Sequence, residues 1–222
     1  MADPIWQWPA TLTASAIRAK LVSRTEVVTA HVDHMRAVNP NLNAVVVDLG
    51  DQAIKEAKAA DARPANGTEH GPLDGLPITV KQNIDVKGLP NPNGVLVMTG
   101  LIATTDAPVI RHLKAAGAII IGQTNTPELS PRAFTDNPLH GLTLNPWDAA
   151  ITCGGSSGGA GSALAAGIVV LAHGNDIGGS LRWPAHCNGV ATIRPTLGRV
   201  RARQRDRLPI RSGCSSLPFW RR

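Results

Sequence analysis

The chain has 222 residues with 43% apolar content, which suits one domain or slightly more of ordinary globular composition. Its formal charge of +6 sits entirely in residues 201–222, which hold seven arginines and one acid, Asp206, leaving fifteen side chains of each sign in the body. A neutral body offers no electrostatic footprint for nucleic acid, and three cysteines are too few and too odd for a disulfide framework, so a reducing cytoplasm is the expected compartment.

Residues 1–10 hold Trp6, Trp8, Pro4, Pro9 and Asp3, with no basic start and no apolar centre, so they do not read as a secretory leader. The longest apolar stretches, 163–172 and 115–121, are too short to cross a bilayer, and no membrane partner is expected. Thr13 is placed to cap a short helix running to residue 21. Thr25 is placed to cap a second, with Val27, Val28, His31, Val32 and Met35 at helical spacing. Asn39-Pro40-Asn41 stops it, because the residue before a proline is pushed out of the helical region. Residues 44–47 read as a strand, 51–62 as a helix and 63–75 as a loop.

From Leu76 the pattern alternates. Residues 78–80 predict a short strand ending at Lys81, 108–116 a helix with proline at its start, and 118–121 a buried strand. Residues 131–146 are loop-like, 159–166 a helix of small residues, and 168–171 a strand. This order predicts an α/β fold, a mixed sheet covered by helices.

Two serine-glycine knots carry the chemistry. The first is Gly154-Gly155-Ser156-Ser157-Gly158-Gly159 and the second Asn175-Asp176-Ile177-Gly178-Gly179-Ser180. A helix of about ten residues advances ~15 Å and a strand of about five advances ~17 Å, so going out along one and back along the other returns both knots to one edge of the sheet. Gly178 and Gly179 let successive N–H groups turn into one concavity, a nest suited to an oxyanion, with Ser180 at its end. A serine needs a base, and Ser–Lys pairs supply one when burial keeps the lysine neutral. Lys81, after Leu76, Pro77, Ile78 and Val80, is the candidate base, and Ser156 is placed to bridge it to Ser180.

Each feature has a plainer reading. A lone glycine-serine knot is more often a flexible or phosphate-binding loop, and a lone buried lysine more often an ion-pair partner. Asp176 and Arg182 read as a structural pair holding the second knot, and Asn125, Glu128 and Asp136 as loop organisers. The seven histidines lack metal-ligand spacing, Cys187 reads as a small buried residue, and Trp147 and Trp183 either line a pocket or pack.

Taken together, the run 75–85, both knots, Leu181-Arg182, Arg194-Pro195-Thr196, Thr124-Asn125-Thr126-Pro127-Glu128-Leu129 and Thr135-Asp136-Asn137-Pro138-Leu139-His140-Gly141 resemble the amidase signature family. The resemblance covers roughly residues 11–200. It implies Ser180 as nucleophile, Ser156 as bridging serine after a cis peptide bond, Lys81 as base, and the backbone N–H groups of Ile177, Gly178, Gly179 and Ser180 as oxyanion hole, supported by Ser157, Asp176 and Arg182. It implies amide hydrolysis through an acyl-enzyme on a small-molecule amide, with no metal or cofactor. The sequence leaves the oligomeric state open, a homodimer being one candidate. Asn175 stands where the family usually has Thr, Gln82 where it often has Asp, and Trp183 where amidotransferase subunits usually have Gln. The family domain runs to about twice this length, so the fold expected is its N-terminal half. Residues 1–70 are expected as its helical start, 71–200 as the signature core, and 201–222 as an arginine-rich tail outside the family, disordered or read out of frame. The competing readings are an inactive truncated fragment, an amidotransferase subunit, and a nucleic-acid binder acting through its basic tail.

Overall fold

The computed structural model describes residues 3–63 and 71–200, together with the backbone of two short strands at 214–215 and 219–220. Helix α1 is Ala10–Arg18 and helix α2 Arg24–Val38. The cap of α2 is Ser23, not Thr25: Glu26 N–H donates to Ser23 Oγ (3.1 Å) and Ser23 N–H to the Glu26 carboxylate (2.8 Å), a reciprocal capping box. Thr25 instead donates to Asp61 Oδ2 at 2.6 Å, tying α2 to the end of helix α3, Gly50–Asp61. Likewise α1 starts after Pro9, and Thr13 lies within it, its hydroxyl on Pro9 O at 3.0 Å.

The main sheet has the order β1-β3-β2-β4-β7, where β1 is Val45–Asp48, β2 Pro77–Lys81, β3 Ile119–Thr124, β4 Leu171–His173 and β7 Phe219–Trp220. Strand β2 runs parallel to both β3 and β4, while β1 and β7 are antiparallel edges, so the sheet is mixed as expected. Strand β5, Asn175–Asp176, pairs with β6, Cys214–Ser215, in a separate two-stranded sheet. The expectation of a disordered or out-of-frame tail falls, apart from these two strands, outside the described residues.

Helices cover both faces. On one, α2 and α3 and helix α5, Gly158–Ala165, bring Val28, Val32, Met35, Ala53, Ala160 and Leu164 against Ile119 and Ile121. On the other, α1 and helix α4, Pro108–Ala115, pack Ile17, Val109, Ile110 and Leu113 on Ile78, Val80 and Ile120. The central strands are buried throughout, so they read in sequence as continuous apolar runs rather than alternations.

One such run misleads. Strand β4 starts at Leu171, not at residue 168, because Gly167 (φ 77°) and Ile168 belong to the exit of α5. Gly167 N–H bonds Leu164 O at 3.0 Å and Ile168 N–H bonds Ala163 O at 2.9 Å, a Schellman ending. Helix α6, Arg182–Asn188, was not anticipated at all.

Helix α5 sits unusually close to the sheet. A Cβ on Gly159 would lie 2.5 Å from Asn125 N and 2.7 Å from Ala44 O, both backbone atoms that have no side-chain freedom to give way. Gly159→Val is therefore expected to destabilise the fold by about 1–3 kcal/mol, the usual range for overpacking. A urea denaturation midpoint equal to that of the parent chain would contradict this.

Candidate active site

Lys81 ends β2 between two parallel neighbours and is fully buried. Burial disfavours the ammonium and pulls its pKa down to about 7, against a smaller opposing pull from Asp176. Its Nζ contacts Ser156 Oγ at 2.6 Å and donates to Asn175 Oδ1 at 2.8 Å. The lysine read from sequence as buried and next to Ser156 is both.

Ser156 follows a cis Gly155–Ser156 peptide bond and precedes α5. The knot is clamped from outside by Thr135, whose hydroxyl donates to Gly154 O (2.9 Å) and accepts from Gly158 N–H (3.1 Å). A Cβ on Gly158 would lie 2.2 Å from that same Thr135 Oγ1, and one on Gly155 would lie 2.7 Å from Arg132 O. These glycines are therefore needed for close approach rather than for flexibility.

The second knot is held against the first. Ser157 N–H donates to Ser180 O at 3.1 Å, and Ser157 Oγ donates to Asn175 O at 3.3 Å. Asp176, fully buried on β5, organises the loop. Its Oδ1 accepts from Gly179 N–H (2.8 Å) and Arg182 Nη2 (2.9 Å), and its Oδ2 accepts from Leu181 N–H (3.1 Å) and Arg182 Nε (3.0 Å). Arg194 adds an ion pair at 3.6 Å. The hydrogen bonds to Arg182 and to backbone N–H groups hold the Asp176 carboxyl well below the usual carboxylate range despite its desolvation. The pairing of Asp176 with Arg182 is thus present, and it engages one N–H, that of Gly179, expected to face an oxyanion.

Ser156, Asn175, Ile177, Ser180, Arg132 and Trp183 share the walls of one open cavity of about 830 Å³. Trp183 is pinned there by its Nε1–H on Ala133 O at 2.9 Å. Trp147 lies in a different hollow, with Nε1–H on Asn188 O at 2.9 Å.

Several residues escaped the sequence reading. Asn125 does organise its loop, bonding Gly141 O and Thr143 Oγ1, each at 3.0 Å. Its companion is Asn137, whose amide reaches Asn125 Oδ1 and Thr126 O at 2.8 Å. Gln82 bonds His140 Nε2 at 2.8 Å. Cys187 is half-buried rather than buried, while Cys153 is buried, its thiol pushed up to about 12 by desolvation. Asn83 and Thr135 carried no individual signal beyond lying in motif runs, and Ser130 lies just outside one.

The Amidase family pattern matches residues 26–212. Over 199 residues the chain is 68% identical to the indoleacetamide hydrolase of Bradyrhizobium diazoefficiens, a match covering 90% of this chain and 38% of that protein. The structure of 6-aminohexanoate cyclic dimer hydrolase complexed with substrate superposes with TM-score 0.86 at 34% identity, covering 99% of this chain and 44% of that one. A bacterial aryl acylamidase of the amidase signature family superposes with TM-score 0.87 at 32% identity, covering 91% and 42%. The chain spans about two fifths of the length of these relatives. With a matched range that takes in Lys81, Ser156 and Ser180, the chain belongs to the Amidase family.

Proposed function

We propose that this chain carries the catalytic residues of an amidase that hydrolyses a small carboxylic amide to the acid and ammonia or an amine. One observation carries the reading: a fully buried lysine, its pKa drawn down to about 7, contacts Ser156 Oγ at 2.6 Å, and Ser156 and Ser180 line the same cavity. Ser180 Oγ attacks the amide carbonyl carbon while its proton passes to Ser156 Oγ, whose own proton passes to Lys81 Nζ. N–H groups of the 177–180 loop face the developing oxyanion, with Gly179 held back on Asp176. The carbon–nitrogen bond then breaks, the proton returns through Ser156 to the leaving nitrogen, and water releases the acid from Ser180 by the reverse relay.

For the substrate we propose an arylacetamide, whose arylacetyl group would be carried on Ser180. The support is the indole ring of Trp183, immobilised on the cavity wall, together with the name of the 68% identical relative. Trp183→Ala is expected to raise KM for indole-3-acetamide roughly tenfold, since one apolar contact in a pocket is worth about 1–3 kcal/mol. The KM for acetamide, which lacks a ring, should stay within about twofold. Equal effects on the two substrates would remove the ring-binding role. The free thiols of Cys153 and Cys187 favour a reducing compartment. Among the described residues no helix is long and apolar enough to cross a membrane.

One observation favours a second reading, an incomplete site: Ile177 on the oxyanion loop is 64% exposed. Labelling by a serine-directed fluorophosphonate separates the two. Stoichiometric modification of Ser180 supports the amidase reading, and its absence in folded chain overturns it.

A further inference from the structure

Lys81 Nζ has a second polar neighbour that the serine relay does not use. We propose that the side-chain amide of Asn175, locked in orientation by Asn83, is a positioning group that turns the free electron pair of Lys81 toward the Ser156 hydroxyl. The inference rests on the reading of Lys81 as the base.

Neutral Lys81 has two N–H bonds and one electron pair. The pair must meet the Ser156 proton, so an acceptor must take an N–H elsewhere. Asn175 Oδ1, at 2.8 Å, is that acceptor. If the Asn175 amide turned over, its NH₂ would face Lys81 instead. It would repel the ammonium, or draw the electron pair of the amine away from Ser156.

Asn83 prevents that rotation. Asn175 Nδ2 donates to Asn83 Oδ1 at 3.0 Å, while Asn83 Nδ2 reaches Asn175 Oδ1 at 3.4 Å, so the two amides meet head to head. Asn83 is fixed in turn, because its Nδ2 donates to Ser130 Oγ at 3.1 Å, whose hydroxyl donates to Asn93 Oδ1 at 2.8 Å. Donation runs in one consistent direction, from Lys81 through Asn175, Asn83 and Ser130 to Asn93. The chain of bonds passes through Ser130, in the 129–132 segment that lines the cavity, so the base and the cavity wall share one polar scaffold.

The charged and titratable groups around Lys81 are few. Asp176 follows Asn175 on β5 and is neutralised by Arg182 and Arg194. His173, on the neighbouring β4, is buried and kept neutral near pH 7, its pKa pulled down to about 4 chiefly by desolvation. Facing Lys81 on β3 is Thr124, and the first knot contributes only hydroxyls. A change at position 175 is thus the direct lever on the lysine.

The test is a titration of the whole chain labelled with ¹³C at lysine Cε, the Lys81 signal being assigned by its loss in Lys81→Met. Asn175→Asp places a carboxylate against Nζ and is expected to raise the titration midpoint by about one to three pH units. Asn175→Leu removes the acceptor and leaves an apolar neighbour, which is expected to lower the midpoint. Opposite shifts would not come from a side chain that merely fills space. If either variant fails to fold, Asn83→Ala, which frees the amide to rotate, is expected to lower the midpoint as well. Midpoints unchanged in variants with the parent circular dichroism spectrum would overturn the proposal. The fluorophosphonate label reports separately on Ser180. Shifts without labelling would overturn the amidase reading and, with it, the role of Asn175 in the relay; labelling without shifts would overturn the role of Asn175 alone.

Discussion

Replacing Ser180 by alanine is expected to cut amide hydrolysis by about 10⁴-fold or more and to abolish fluorophosphonate labelling, because no acyl-enzyme can form without its Oγ. The fold should survive. Ser180 is only partly buried, and the bond it makes across the knots uses its backbone carbonyl, accepted from Ser157 N–H at 3.1 Å. A melting temperature within about 2 °C of the parent, alongside lost turnover, separates chemistry from folding. Undiminished turnover would sink the assignment of Ser180. The pH profile of the parent chain tests the same relay from the other end. Lys81 must be neutral to take a proton, so kcat/KM should rise with pH through a limb near 7. The same group sets a stability slope. Between about 7 and its ordinary value of 10.5 the unfolded chain binds a proton that the native lysine does not. Stability should therefore increase as pH rises through that window, and below 7 the burial penalty is felt in full.

How far the sequence reached depended on whether a residue acts through its type or through its neighbours. Lys81, Ser156 and Ser180 stood out in the sequence because the side chains proposed as base, bridging hydroxyl and nucleophile are recognisable by kind. Their convergence followed from the lengths of α5 and β4, which compensate even though β4 starts three residues late. Asn83, Asn137, Asn175 and Thr135 act by aiming one amide or hydroxyl at specific backbone or side-chain atoms, which no spacing encodes. Thr25 illustrates the limit: it has the chemistry of a helix cap, but Asp61, 36 positions away, claims its hydroxyl. Helix α6, seven residues long with Pro184 inside its first turn, is under two full turns and has no periodicity to detect. The sheet was legible as a class, while the antiparallel course of β1 depends on a return path that local pattern does not carry.

Asp176 shows why a residue outside the proton relay should matter as much as one within it. Its carboxylate is wholly buried and takes hydrogen bonds from the N–H groups of Gly179 and Leu181 and from Nε and Nη2 along one edge of the Arg182 guanidinium. Asp176→Ala would leave the backbone donors without their acceptor, while Arg182 and Arg194, 57% and 38% exposed, can turn to solvent. Leaving the N–H groups of Gly179 and Leu181 without an acceptor, at about 1–3 kcal/mol each, puts the cost at about 3–5 kcal/mol. At about 2–4 °C per kcal/mol for a domain of this size, the melting temperature should fall by roughly 6–20 °C. Arg182→Ala is the contrasting variant. Its side chain is 57% exposed, so the ion pair is screened by solvent and its loss should cost far less, while the backbone donors keep their acceptor. The order Asp176→Ala far worse than Arg182→Ala, in both melting temperature and Ser180 labelling, is what a loop organised by the carboxylate requires. Equal losses would mean that the salt bridge itself, not the backbone bonds, holds the nucleophile loop. The pH dependence has a fixed sign: with the folded carboxyl well below its unfolded value, this stabilisation is present above about pH 4 and fades as acid approaches the depressed native value. Acid should then release the 177–180 loop and silence Ser180 by a route separate from protonation of Lys81, and only the first should be accompanied by loss of the loop's amide protection from hydrogen exchange.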